Sequence, residues 1–216
     1  MAPLVKTDLN VELLSPDTVD SGGGAWPILT NRQEDWAWRK DAFAPHELDS
    51  IIRMADAVEF NKGRTGADTG RKQDTETRNS DVKFIFPNGL TSWVFQRLTA
   101  VVEVSNSQFF NFDLSGFEQG LQLTRYSSEG EQHYDWHVDR GMETGNRKLS
   151  LTLQLSDPKD YEGGDLELKF GKENVVASRE RGMMTLFPSF VLHRVTPVTK
   201  GTRYSLVAWV SGPPFK

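Results

Sequence analysis

Cysteine is absent from this chain of 216 residues. That removes disulfides, iron–sulfur clusters, thiolate-ligated haem, cysteine-based zinc sites and cysteine nucleophiles together. Histidine is scarce: there are four, His46, His133, His137 and His193, so a protein-bound metal must draw on few imidazoles, on carboxylates or on water. A basic excess is lacking too. The net charge of −5 provides no field that would gather nucleic acid without sequence preference. No apolar run approaches the roughly 20 residues that span a bilayer. The opening MAPLVKTDLNVELLSPD has no apolar segment behind a basic start. These absences predict a cytoplasmic protein with neither a nucleic-acid nor a membrane partner; oligomeric state leaves no mark in the sequence.

What is present is an ordinary globular composition, 37% hydrophobic and 25% charged. The length suits one core, since single cores run to about 250 residues. Residues 1–30 are polar and irregular, with a Ser21-Gly22-Gly23-Gly24 joint, and read as an N-terminal segment ahead of a single domain over 31–216. Behind Pro45, the residues Leu48, Ile51, Ile52 and Ala55 recur at helical spacing, and a second helix is expected over Thr91–Val104. Between them NKGRTGADTGRKQDTETRNS (61–80) is too polar and too long for an idle connection, which suits a lid. From about residue 117, short alternating segments predict strands at 118–126, 132–139, 148–155, 165–170, 174–178, 183–187, 191–196 and 203–210. The expected fold is mainly β with supporting helices: a helical N-terminal part to about 116, then a jelly-roll (double-stranded β-helix) core over about 117–210. In 148–155, Leu149, Leu151, Leu153 and Leu155 are expected to face inward, with Lys148, Ser150, Thr152 and Gln154 alternating.

The chemistry-bearing residues cluster late. His133-Tyr134-Asp135-Trp136-His137-Val138-Asp139 contains two His-X-Asp pairs, and one further histidine, His193, follows on a later strand. A His-X-Asp pair plus a distant His is the ligand set of the 2-His-1-carboxylate triad, which holds Fe(II) by one face and leaves positions open. In a regular strand all four polar side chains of 133–139 share one face. Position must then separate the pairs. Asp139 borders the polar loop 140–147, where an open site has its mouth, while His133 and Asp135 lie about 13 Å earlier at strand rise. The metal ligands are therefore assigned as His137, Asp139 and His193, with His133 and Asp135 left on the strand surface or supporting the ligands. Arg203 and Ser205 share a face with Val207 and Trp209 on the final strand. An inward arginine is costly unless an anion answers it. The far carboxylate of 2-oxoglutarate would do so through a bidentate contact with a serine hydroxyl alongside; an internal Asp or Glu is the plainer partner.

LTRYSSEGEQHYDWHVD, YEGGDLEL (161–168) and GMMTLFPSFVLHRVTPVTKGTRYSLVAWV (182–210) together resemble the prolyl 4-hydroxylase-like branch of the 2-oxoglutarate/Fe(II) dioxygenases. The last segment is closest to the bacterial PKHD-type hydroxylases, and Arg78-Asn79-Ser80 resembles the Arg-X-Ser strand after the mobile active-site loop. The resemblance covers roughly residues 40–210. It implies Fe(II) on His137, Asp139 and His193, and 2-oxoglutarate on Arg203 with help from the Tyr126 hydroxyl; L-ascorbate is a candidate accessory. Eukaryotic-type relatives commonly have Lys in place of Arg203 and Thr in place of Leu166, so both positions point to the PKHD-like side. The implied reaction is hydroxylation of a prolyl residue in a peptide or protein. Trp136, Trp209 and Arg78 are candidate substrate residues, Arg64, Arg71 and Lys72 candidate contacts for an acidic or peptide substrate, and loops 61–76 and 140–147 candidate lids. The rivals are hydroxylation of a free amino acid or other small molecule, a non-catalytic jelly roll with a structural metal, and a cupin-like oxygenase without 2-oxoglutarate. The DNA-repair members carry a second arginine where this chain has Trp209.

Overall fold

The computed structural model describes residues 34–56, 59–63, 75–141 and 144–215. The expectations for residues 1–30, and for Arg64, Arg71 and Lys72 in the proposed lid, lie outside the described residues.

Both expected helices form. Helix α1 (Pro45–Asp56) opens on Pro45, whose missing N–H costs nothing in a first turn. The Glu47 carboxylate accepts a hydrogen bond from the Ala44 N–H at 2.8 Å, and Leu48 and Ile51 turn inward. Helix α2 (Ser92–Ser105) passes into a π-helical turn over Asn106–Phe110, closed by Asn111 in the left-handed region at φ 55°.

The strands build two sheets. Early in the chain come β1 (Ala37–Arg39), β2 (Asn61–Lys62), β3 (Arg78–Asn79) and β4 (Asp81–Ile85). The jelly-roll region adds β5 (Leu121–Ser127), β6 (His133–His137), β7 (Arg147–Gln154), β8 (Tyr161–Gly163) and β9 (Leu166–Phe170). It ends with β10 (Glu173–Val176), β11 (Met184–Pro188), β12 (Leu192–Val195) and β13 (Val198–Ser211). Among the described residues, the larger sheet runs β1-β11-β7-β13-β5-β4-β2, with β8 paired to β13, and the smaller runs β10-β9-β12-β6-β3. Every one of these pairings is antiparallel, as a jelly roll requires.

The reading of residues 148–155 needs correction. Leu149, Leu151 and Leu153 do face a core, formed with Leu48, Ile51, Leu98 and Val102 of the two helices. The alternate residues Ser150, Thr152 and Gln154 are buried as well. The larger sheet is covered on both sides: helices on one, the smaller sheet on the other, where Tyr126 and Phe187 meet Leu166, Leu168 and Val195. A strand covered on both faces has no solvent side, so its polar residues mark an interior polar region rather than the surface. Strands β1, β2, β4 and β8 also lie outside the expected set. In β4 the charges of Asp81 and Lys83 conceal a buried strand. The Lys83 ammonium reaches the Met54 carbonyl at 3.1 Å.

Asp81 ties β4 to its neighbours, accepting from Lys62 at 2.7 Å, Arg125 at 2.9 Å and Gln132 at 3.1 Å. Burial alone would raise its pKa; the hydrogen bonds from Lys62, Gln132 and Arg125 outweigh it and hold the carboxyl below its ordinary value. That contribution is complete above the ordinary carboxylate range and is lost as pH falls through the lowered pKa.

Two outcomes are expected. Leu151→Ala should cost about 2–5 kcal/mol in urea denaturation, because a rigid double-sided core closes poorly over a cavity. Asp81→Asn should lower the melting temperature at pH 7 and flatten its fall towards pH 3; a variant with an unchanged acid limb would remove Asp81 from that role.

Candidate active site

The three expected metal ligands converge. His137 ends β6, Asp139 follows it, and His193 lies on the adjacent β12 directly across from His137. Their ligand atoms all fall within 4.8 Å of one another. His193 Nε2 is 3.5 Å and His137 Nε2 3.8 Å from the Asp139 carboxylate oxygens. His133 and Asp135 stay outside, but strand parity is not what separates them. The β6–β12 pairing sets His193 against His137 and Val195 against Tyr134, so β6 carries one extra residue between those points. This bulge breaks the alternation. Tyr134 and His137 come to one face with rings stacked at 3.4 Å, Asp135 is turned to solvent, and both His133 nitrogens are engaged by the Glu131 and Glu76 carbonyls.

Each ligand is held by atoms behind it. Nδ1 of His137 lies 2.7 Å from the Asp135 carbonyl oxygen and Nδ1 of His193 lies 2.9 Å from that of Val191. A carbonyl can only accept, so each Nδ1 carries the proton and each Nε2 keeps its lone pair for the site. Burial, followed by the proximity of His193, pushes His137 down to about 3, which keeps it neutral and able to ligate. Asp139 is clamped on both ends. Its carboxylate accepts from Ser150 Oγ at 2.7 Å, its N–H donates to the Ser189 carbonyl at 3.0 Å, and its carbonyl accepts from Thr144 Oγ1 and Arg147 Nη1. Ser150, Ser189, Thr144 and Arg147 were not foreseen. A serine in the alternating LSLTLQ reads as solvent-facing, and only the double burial of β7 reveals it. Two imidazoles and a carboxylate on one face suit Fe(II) and leave room for further ligands.

These residues line a cavity of about 620 Å³, within the range of small-molecule sites. Its buried end carries Arg203, Ser205, Tyr126, Leu166 and Val195; Phe84, 43% exposed, stands at its rim. Arg203 is 1% exposed, yet among the described residues Nε and Nη2 have no hydrogen-bond partner and Nη1 reaches only the Ser205 hydroxyl at 3.4 Å. The plainer expectation, an internal carboxylate, is therefore not met. Among the lining residues Lys62, Arg78, Arg147 and Arg203 face a single carboxylate, Asp139. A chain of net negative charge thus lines this cavity with more cations than carboxylates, and two donors of a buried guanidinium have no acceptor among the described residues. A small dianion fits it.

The expected substrate residues divide. Trp209 and Arg78 line the cavity. The Arg147 guanidinium lies 3.8 Å over the Trp209 ring, and Arg78 lies 4.4 Å over Tyr134. Trp136 is not among the lining residues: as the strand neighbour of His137 it faces the other way, between Arg194 at 4.6 Å and Lys169 at 5.3 Å.

Residues 121–211 match the 2OG-Fe(II) oxygenase superfamily. A PKHD-type hydroxylase of Synechococcus sp. (strain CC9605) is 38% identical over 126 residues, covering 57% of this chain and 56% of the relative. Another, from Gloeothece citriformis (strain PCC 7424), is 30% identical over 172 residues, covering 77% and 73%. Among solved structures, a prolyl hydroxylase in complex with a hypoxia inducible factor oxygen degradation domain peptide, from Trichoplax adhaerens, superposes with a TM-score of 0.69 at 15% identity, covering 83% of this chain and 84% of that one. The double-stranded β-helix is the shared fold. No helix among the described residues is long and apolar enough to cross a membrane.

Titration of the metal-free protein with Mn(II) or Co(II) checks the metal site. His137→Ala should abolish tight binding, Ser150→Ala should weaken it by about tenfold through loss of the Asp139 clamp, and His133→Ala should leave it unchanged. Equal affinity in Ser150→Ala would show that Asp139 holds its position without the hydroxyl.

Proposed function

From the premise that the chain belongs to the PKHD-type branch of the 2OG-Fe(II) oxygenases, we propose that it hydroxylates a prolyl residue within a peptide or protein. The observation that carries the co-substrate half of this reading is the pair of unpartnered Arg203 donors in a positive, buried cavity end.

His137, Asp139 and His193 would hold Fe(II), which with 2-oxoglutarate would supply the oxidising chemistry, O₂ being divided between succinate and a substrate C–H bond with release of CO₂. The chain's own residues do the rest. Arg203 and Ser205 take the far carboxylate, with Tyr126 beside them, which fixes the diacid's orientation. Leu166 and Val195 keep that end dry, so the guanidinium–carboxylate attraction is not screened by water. The Nδ1 hydrogen bonds hold both imidazoles in the ligating tautomer, and Ser150 keeps Asp139 turned towards them.

A chain substrate is favoured over a free amino acid by the rim. Phe84 leaves the cavity wall and stacks on Phe86, which is 61% exposed, at a centroid distance of 6.5 Å. A free amino acid would leave these aromatic faces unused, while residues flanking a target in a peptide would lie across them. The non-catalytic reading leaves the cavity without a purpose, and Trp209 in place of a second arginine argues against the nucleic-acid reading.

Anaerobic addition of Fe(II) and 2-oxoglutarate should produce a visible charge-transfer band that His137→Ala lacks. Arg203→Ala should raise the 2-oxoglutarate requirement by about 100-fold while metal affinity holds, as expected for a lost charge-assisted contact. Mass spectrometry of proline-containing peptides should show addition of one oxygen atom; turnover of free proline with every peptide inert would replace the peptide reading with the small-molecule one.

A further inference from the structure

Strand β8 and the start of β9 are joined through consecutive glycines in the left-handed region, Gly163 at φ 72° and Gly164 at φ 65°. They differ in what stands beside them. A methyl on Gly163 would lie 2.0 Å from the Pro197 carbonyl oxygen, a backbone clash across the β8–β13 pairing. One on Gly164 would meet side chains instead: Val198 Cγ2 at 2.9 Å, Arg203 Cδ at 3.0 Å and Tyr161 Cε2 at 3.5 Å. The bare face of Gly164 is therefore the wall against which the stem of Arg203 lies.

We propose that Gly164, with Val198, is a positioning residue that sets the reach of the Arg203 guanidinium towards the 2-oxoglutarate carboxylate. This rests on the reading of Arg203 as the carboxylate anchor. Among the described residues no acid holds Arg203 in place; the weak contact to Ser205 is its one hydrogen bond there and the Tyr126 ring lies 5.5 Å from the guanidinium, so shape must fix its head. Its Cα cannot move, because Arg203 pairs with Tyr126 inside the larger sheet. Val198 cannot yield either. It is fully buried, and a β-branched side chain has little rotameric freedom. A methyl at 164 would therefore displace the flexible arginine stem, and a small shift at Cδ is magnified at the guanidinium beyond it.

Gly171 supplies an internal control: it has φ 71° and nothing within 4 Å of an added methyl, so Gly171→Ala measures the left-handed backbone penalty without the contact. The experiment is calorimetric titration of Mn(II)-loaded protein with 2-oxoglutarate, alongside Mn(II) titration and thermal melts. Gly164→Ala should bind 2-oxoglutarate about tenfold more weakly with Mn(II) affinity unchanged, as for a misaligned charge-assisted contact. Gly171→Ala should lose stability only. Adding Val198→Ala to Gly164→Ala gives the methyl room and should return 2-oxoglutarate affinity to that of Val198→Ala alone, although the backbone strain persists. If Gly164→Ala folds poorly, the double variant decides by the same criterion. Wild-type affinity in Gly164→Ala, or failure of the double variant to recover, overturns the proposal while Arg203→Ala remains weak. Unchanged affinity in Arg203→Ala would instead overturn the anchor reading beneath it.

Discussion

Moving a guanidinium from water into a low-dielectric interior costs several kcal/mol even after relaxation, and Arg203 is enclosed there with a hydroxyl as its only hydrogen-bond partner among the described residues. The rest of the molecule is arranged around that cost. Strand β13 lies between β7 and β5 in the larger sheet, and Arg203 is anchored there by its pairing with Tyr126 of β5. Helices cover the opposite face, and the packing of Leu149, Leu151 and Leu153 stabilises a sheet that must carry a polar inner face. The smaller sheet then closes over that inner face and contributes the metal ligands. An apolar interior between the sheets would be more stable and would bind nothing.

The ligand set was legible because its chemistry is scarce. With few histidines and no cysteine, His137, Asp139 and His193 had little competition, and Arg203 drew notice as a charge on an otherwise apolar strand. The helix after Pro45 and most strands beyond residue 117 were legible from periodicity. What was hidden is also specific. A bulge is one extra residue and alters no composition, so the shared face assumed for 133–139 could not be corrected from the sequence. Ser150 looked like a solvent position because a strand buried on both faces has the same alternation as one that is half exposed. Asp81 and Lys83 drew no strand assignment, because the partners that bury their charges lie on other elements.

The bulge also explains how one strand carries two His-X-Asp pairs without ambiguity. His133 is saturated by two carbonyls, so neither nitrogen is left to bind a metal. Asp135 turns its side chain out and uses its carbonyl to orient His137. The earlier pair thus supports the later one through backbone and position, and the Tyr134 ring, brought alongside by the extra residue, stacks on the His137 imidazole.

Strand β13 has a further consequence as a ruler. Arg203, Ser205, Val207 and Trp209 all line the cavity from this one strand, at a spacing of about 7 Å per pair of residues. The distance from the arginine to the tryptophan is therefore fixed by covalent geometry and cannot drift through loop motion. The rim is made separately, by Phe84 and Phe86 on and beyond β4 and by the turn after Asp139. Variation there can change which substrate is admitted while the graduated strand stays the same. A scaffold divided in this way can acquire new substrates without first relearning how to hold its diacid.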